Sequence, residues 1–128
     1  MKIADKLVNG LVGKNIPLEN IFVDPLVQPI SVNPALGMAF IDSIAEIKRA
    51  WPEMHTICGL SNVSYGLPGR KVLNRSFMIM SIAKGLDRAI VNPLDKSMMA
   101  SIIVAEALAG RDDYCMKYLK AYRSNCLE

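Results

Sequence analysis

The sequence predicts an α/β fold of about three parallel strands, each followed by a helix, and three observations carry that expectation. Short β-branched stretches alternate with longer stretches whose apolar residues recur every three or four positions. Each short stretch runs into a polar or turn-forming residue, and Gly or Pro closes the long ones. The 128 residues fit one domain with one core, expected to bury roughly two-thirds of the unfolded surface.

In chain order, Ile3, Leu7 and Leu11 recur every four residues with Ala4, Val8 and Val12 beside them, predicting an amphipathic helix that closes near Gly13 to Asn15. After the turn at Pro17, Ile21-Phe22-Val23 is a short strand ending in Asp24-Pro25. Asn33-Pro34 then caps a helix from Ala35 to Arg49, whose buried stripe is Met38, Ile41, Ile44, Ala45 and Lys48, and Trp51-Pro52 ends it. His55 to Cys58 is the second strand, running into Gly59 to Ser64 and a loop with Gly66, Pro68 and Gly69. A helix from about Val72 to Lys84 stops at Gly85, and Arg88 to Val91 is the third strand, ending in Asn92-Pro93-Leu94-Asp95. Helix follows from about Lys96 to Leu108, and Gly110 divides it from a last helix containing Tyr114, Tyr118, Leu119 and Tyr122. Three strand-then-helix units imply parallel pairing with right-handed crossovers.

Composition narrows the function classes only modestly. Charged residues are 21% and the net charge of +3 is small and dispersed, which argues against nucleic acid or a membrane surface as partner. The N-terminus lacks the unbroken apolar core of a signal peptide, and no stretch approaches the roughly 18 apolar residues of a membrane span, so the cytoplasm is the expected compartment. Cys58, Cys115 and Cys126 are odd in number, without Cys-x-x-Cys or a Cys/His cluster, so structural thiols are expected and no metal site.

Each predicted strand is apolar along its length and turns polar at its end, at Asp24, at Ser61 with Asn62, and at Asn92 with Asp95. In (β/α) architectures such ends gather on one face, where substrates bind. Ordinary capping and turn chemistry is the competing explanation, and the pattern alone does not separate the two.

Asp24-Pro25-Leu26, Gly59-Leu60-Ser61-Asn62-Val63-Ser64, Leu73-Asn74-Arg75 and Gly85-Leu86-Asp87-Arg88-Ala89-Ile90, in this order, resemble methyltetrahydrofolate:corrinoid/iron-sulfur protein methyltransferases. The resemblance runs from about Ile3 to Arg123. The same pterin-binding barrel occurs in the folate domain of methionine synthase and in dihydropteroate synthase. A complete (β/α)8 barrel needs about 250 residues. The resemblance therefore implies the C-terminal part of a TIM-like barrel: residues 1–128 form a partial pterin-binding domain equivalent to its sixth to eighth strands, incomplete as a single chain.

The resemblance also implies a function, methyl transfer from N5 of 5-methyltetrahydrofolate to the cobalt of a corrinoid held by a partner protein. Asp24 matches the pterin-binding carboxylate, whose two oxygens suit the adjacent N–H donors of a 2-amino-4-oxo-pyrimidine edge. Asn62 matches the residue facing N5, the catalytic position. A tertiary amine leaves poorly until N5 gains positive charge or a hydrogen bond, and an amide can donate to N5 or accept from its protonated form. Ser61 is placed to orient that amide or to line the pocket. Arg70, with Lys71, is placed to meet the folate's acidic tail or the pterin's carbonyl edge, or is simply a solvated basic loop.

Other residues have structural readings. Phe77, Met78, Met80 and Ile82 with Met98 and Met99 read as core, and Lys117, Lys120 and Arg123 as a solvated helix face. His55 begins a strand on the face opposite the pocket, which suits neither a base nor a cobalt ligand. Dihydropteroate synthase is the weaker enzyme reading, since that family has a lysine at the seventh strand end and Arg-x-His at the eighth, where Ser61-Asn62 and Asn92-Pro93 stand here. A non-enzyme alternative is an inactive half-barrel serving assembly or pterin binding. Exposed strand edges and an apolar inner face predict an N-terminal half-barrel partner or self-association.

Overall fold

A computed structural model describes residues 1–128. Helix α1 (Lys2–Val12) leads through a 3₁₀ turn to strand β1 (Phe22–Val23), then α2 (Leu36–Ala50), β2 (His55–Gly59), a 3₁₀ turn at Leu60–Ser64 and α3 (Arg70–Ala83). Strand β3 (Arg88–Ile90), α4 (Lys96–Leu108), a 3₁₀ turn at Asp113–Cys115 and α5 (Met116–Arg123) complete the chain. The strands form one sheet in the order β1-β2-β3, every pair parallel, with Phe22 opposite His55 and Ile57 opposite Arg88. The architecture is an open segment of a (β/α) barrel wall.

Local chemistry explains where the elements stop. Trp51 leaves helical geometry at φ −137° because the ring of Pro52 excludes the α region for the residue before it. Asp95 caps α4, its side chain accepting from the Met98 N–H at 3.1 Å. Gly85 sits at φ +113°, and a Cβ there would lie 2.8 Å from Lys48 Cγ, so both torsion and space require glycine. The last helix is shorter than expected: Tyr114 and Cys115 adopt left-handed backbone, and helix begins at Met116. Buried Asp112 makes that start possible by accepting from the Lys117 and Tyr118 N–H groups, each at 2.9 Å.

Strand pleating sorts the side chains into two sets. Thr56 and Cys58 are fully buried, and Ala89 packs against the same core, because their side of the sheet meets the helices. The core there joins Ile41 and Ile44 of α2, Phe77, Met78 and Ile82 of α3, and Met98 of α4. A smaller cluster of Val8, Ile21, Ile47 and Met54 seats α1. Phe22, His55, Ile57, Gly59, Arg88 and Ile90 occupy the other side, which no element of the chain covers.

Several sequence expectations change accordingly. Met38, Met80 and Met99 are 48%, 46% and 36% exposed rather than core, and Met38 and Met80 line an open groove between α2 and α3. Ile3 and Leu7 are exposed, and Val8 alone is buried on α1. His55 is at the N-terminal end of β2, away from the strand ends, yet it shares the uncovered side with Gly59 and stacks on Phe22 at 4.8 Å between centroids. The chain exposes 8408 Å², where a compact monomer of 14.1 kDa exposes about 6,700 Å². It therefore buries about 60% of its unfolded surface and not two-thirds, the proportion of a much smaller domain.

Candidate functional site

The loops after β1 and β2 are stitched together at the C-terminal rim of the sheet. The Ile30 N–H donates to the Val63 carbonyl at 3.1 Å, and Asn62 Nδ2 donates to the Val27 carbonyl at 2.7 Å. Val27 and Val63 are both buried, which fixes the two loops to the core below. Asn62 is itself exposed, so its amide is held by one bond while its Oδ1 and second N–H have no partner within the chain.

Asp24 follows β1 directly. Its Oδ1 accepts from the Leu26 N–H at 2.8 Å, closing a tight turn in which Leu26 is left-handed at φ +68°. That backbone is unusual for a branched residue, and the carboxylate holds it in place. The turn reading and the binding reading of Asp24 are thus compatible, because a carboxylate keeps further lone pairs when one oxygen is engaged.

Arg70, the first residue of α3, folds back over the turn after β2. Its Nε donates to Ser64 Oγ at 2.9 Å and its Nη2 to the Ser61 carbonyl at 2.8 Å, and Ser64 Oγ donates to the same carbonyl at 3.1 Å. Arg70 is therefore a clamp on the turn and not a free basic loop residue. Ser61 contributes its carbonyl to that clamp; the amide of Asn62 is oriented by Val27, not by the Ser61 hydroxyl.

Asp24, Ser61, Asn62 and Arg70 all line one open cavity of about 390 Å³, with Leu26 and Ile90 among its walls. Cys58 lies beneath it, its thiol pushed up to about 12 by burial and, secondarily, by the negative charge of Asp24, so it stays protonated and unreactive.

A second cleft of about 300 Å³ opens between the ends of β2 and β3, sharing Ser61 and Ile90 with the first. Lys71, Asn74, Asn92 and Asp95 line it. Arg70 and Lys71, adjacent in sequence, therefore face different clefts. Asn92 and Asp95 do the ordinary turn and capping work as well, accepting from the Leu94 and Met98 N–H groups. Asn74 was not singled out by its chemistry in the sequence. It stood within the Leu73-Asn74-Arg75 stretch of the resemblance without a role assigned to it, and its spacing of three from Lys71 puts the two on one helical face.

No family model matches the chain. It is 38% identical over 123 residues to the methylcorrinoid:tetrahydrofolate methyltransferase of Eubacterium limosum, an alignment covering 96% of this chain and 45% of that protein. The methionine synthases of Mycobacterium tuberculosis and Mycobacterium leprae are 34% and 33% identical over 99 residues, covering 72% of this chain and 8% of each of theirs. The chain thus spans about half the length of the first relative and a small part of the others.

Proposed function

We propose that the rim cavity holds the pterin of 5-methyltetrahydrofolate for methyl transfer to a corrinoid protein, a reading supported by the similarity to part of a methylcorrinoid:tetrahydrofolate methyltransferase and of methionine synthases. The observation that carries this reading is the convergence of Asp24, Ser61, Asn62 and Arg70 from separate loops onto one cavity. Asp24 presents carboxylate lone pairs to the 2-amino and N3 donors of the pyrimidine ring. Asn62, held by Val27, points its unpartnered amide atoms at N5. It accepts from N5 when N5 is protonated, or donates to the lone pair of unprotonated N5, and so stabilises the charge that develops as the N–CH₃ bond breaks.

The corrinoid, carried by its own protein, supplies a reduced cobalt nucleophile for the methyl group. The name of the Eubacterium limosum relative puts the methyl on the corrinoid first. That is the same exchange run backwards, and a residue stabilising charge at N5 serves both directions. Arg70 fixes the turn that carries Asn62 and closes one side of the cavity.

The uncovered side of the sheet favours assembly. The surface beyond that of a compact monomer is roughly 1,700 Å² on this chain alone, more than the about 800 Å² that each partner contributes to a standard stable interface. The N-terminal half of such a barrel is the proposed cover, with a second copy of the chain as the other candidate, and the cytoplasm is the proposed compartment. The same surface supports a second reading, an assembly or pterin-binding piece without its own activity.

Calorimetric titration with 5-methyltetrahydrofolate, of the chain alone and mixed with an N-terminal half, separates these readings. Methyl transfer in the assembled protein should fall about a hundredfold or more in Asn62→Ala with folate binding retained. Unchanged transfer would remove Asn62 from the chemistry, and absence of folate binding in every mixture would remove the pterin site.

A further inference from the structure

We infer that the second cleft is the seat of the substrate's p-aminobenzoyl-glutamate tail, with Lys71 and Asn74 as the residues that recognise it. This rests on the pterin reading of the first cleft. The two clefts are contiguous, since Ser61 and Ile90 form walls of both, so a ligand whose ring system fills the first must leave it toward the second or toward solvent.

Three features of the second cleft suit an aromatic amide ending in carboxylates. Ile90, at the end of β3 where the clefts meet, is 72% exposed and offers a bare branched aliphatic surface to a benzoyl ring. Asn74 Oδ1 is buried without a hydrogen-bond partner although its residue lines the cleft. An unpartnered buried acceptor is unfavourable, and an amide N–H from a ligand would relieve that. Lys71 is the cleft's cation, held by no salt bridge within the chain, and so is available to a carboxylate. Asp95 stands at the same cleft, with one oxygen committed to the cap of α4. Its negative charge makes placement of the carboxylates selective for the Lys71 side.

The test uses two probes on the purified chain, assembled with its N-terminal half if folate binding requires that. A tailless tetrahydropterin reports the first cleft, and 5-methyltetrahydrofolate reports both. Lys71→Gln and Asn74→Leu should each weaken the folate about tenfold, which is ~1.4 kcal/mol, and leave the tailless pterin unchanged. Lys71 is exposed, so its variant should keep the wild-type melting curve, and it decides the question if Asn74→Leu disturbs packing. Equal affinities of the wild-type protein for the two probes, or equal loss of both in Lys71→Gln, would overturn the tail site while leaving the pterin site standing. Failure of the wild-type protein to bind the tailless pterin would overturn the pterin reading itself.

Discussion

The two sides of the three-stranded sheet differ in what finishes them. On one side Thr56, Cys58 and Ala89 meet Ile44, Phe77, Met78 and Ile82, and the packing is completed within these 128 residues. On the other, Phe22 is 49% and Ile90 72% exposed, and His55, Ile57 and Arg88 stand beside them with nothing above. The helix-facing side makes the chain fold; the bare side is left uncovered by the chain's own elements. The candidate site stands at the rim where the two sides meet, which is why its loops are anchored by buried Val27 and Val63 while Asn62 remains open.

Substitution on the packed side gives the largest expected effect. Ile44 is fully buried between α2 and the sheet, and Ile44→Ala should destabilise the chain by about 2–5 kcal/mol, read as a lower denaturant midpoint. A loss below 1 kcal/mol would mean that this side is not the stabilising one.

The foot of the packed side supplies the next effect. Asp87 Oδ2 accepts from the Thr56 N–H at 2.9 Å and from Lys48 Nζ at 3.1 Å, and Lys48 Nζ also donates to the Met54 carbonyl at 2.7 Å. Burial raises the Asp87 pKa, but the bonds from Thr56 and Lys48 outweigh it and hold the carboxyl below its ordinary value. A depressed folded-state pKa contributes stability that is present above the unfolded value of about 3.9 and is lost as pH falls through the lower folded value. Asp87→Asn should cost about 1–3 kcal/mol at neutral pH and flatten the acid limb of a stability-versus-pH curve. An acid limb identical to wild type would show that Asp87 is not tied in this way.

The smallest effect on folding belongs to the bare side. Phe22→Ser should cost the isolated chain only about 1 kcal/mol, since half of the ring is already exposed and its stacking on His55 is what is lost, yet weaken association measured by sedimentation across a concentration series. A concentration-independent monomer in the wild type, or a Phe22→Ser cost matching that of Ile44→Ala, would break the contrast between the two sides.

Element order was legible because it depends on local rules. The 3.6-residue period marked α2 and α3, Gly85 and Trp51-Pro52 marked their ends, and short β-branched runs marked the strands. Asp24, Ser61, Asn62 and Arg70 were singled out through their resemblance to a known family, and they line one cavity. What each bonds to was not legible. The Val27 carbonyl that holds Asn62 lies 35 residues away in sequence, and no periodicity reports such a contact.

By itself, then, the sequence determined the strand-helix alternation, the parallel sheet and the polar strand ends, all consequences of spacing and backbone preference over a few residues. Only the tertiary structure decided which side of the sheet is covered, that Arg70 clamps a turn while its neighbour Lys71 enters a separate cleft, and that Met38, Met80 and Met99 stay outside the core. Burial and side-chain hydrogen bonding depend on what arrives from elsewhere in the chain. An amphipathic stripe says that a helix has an apolar side, and it is the neighbouring elements that determine how much of that side is removed from water.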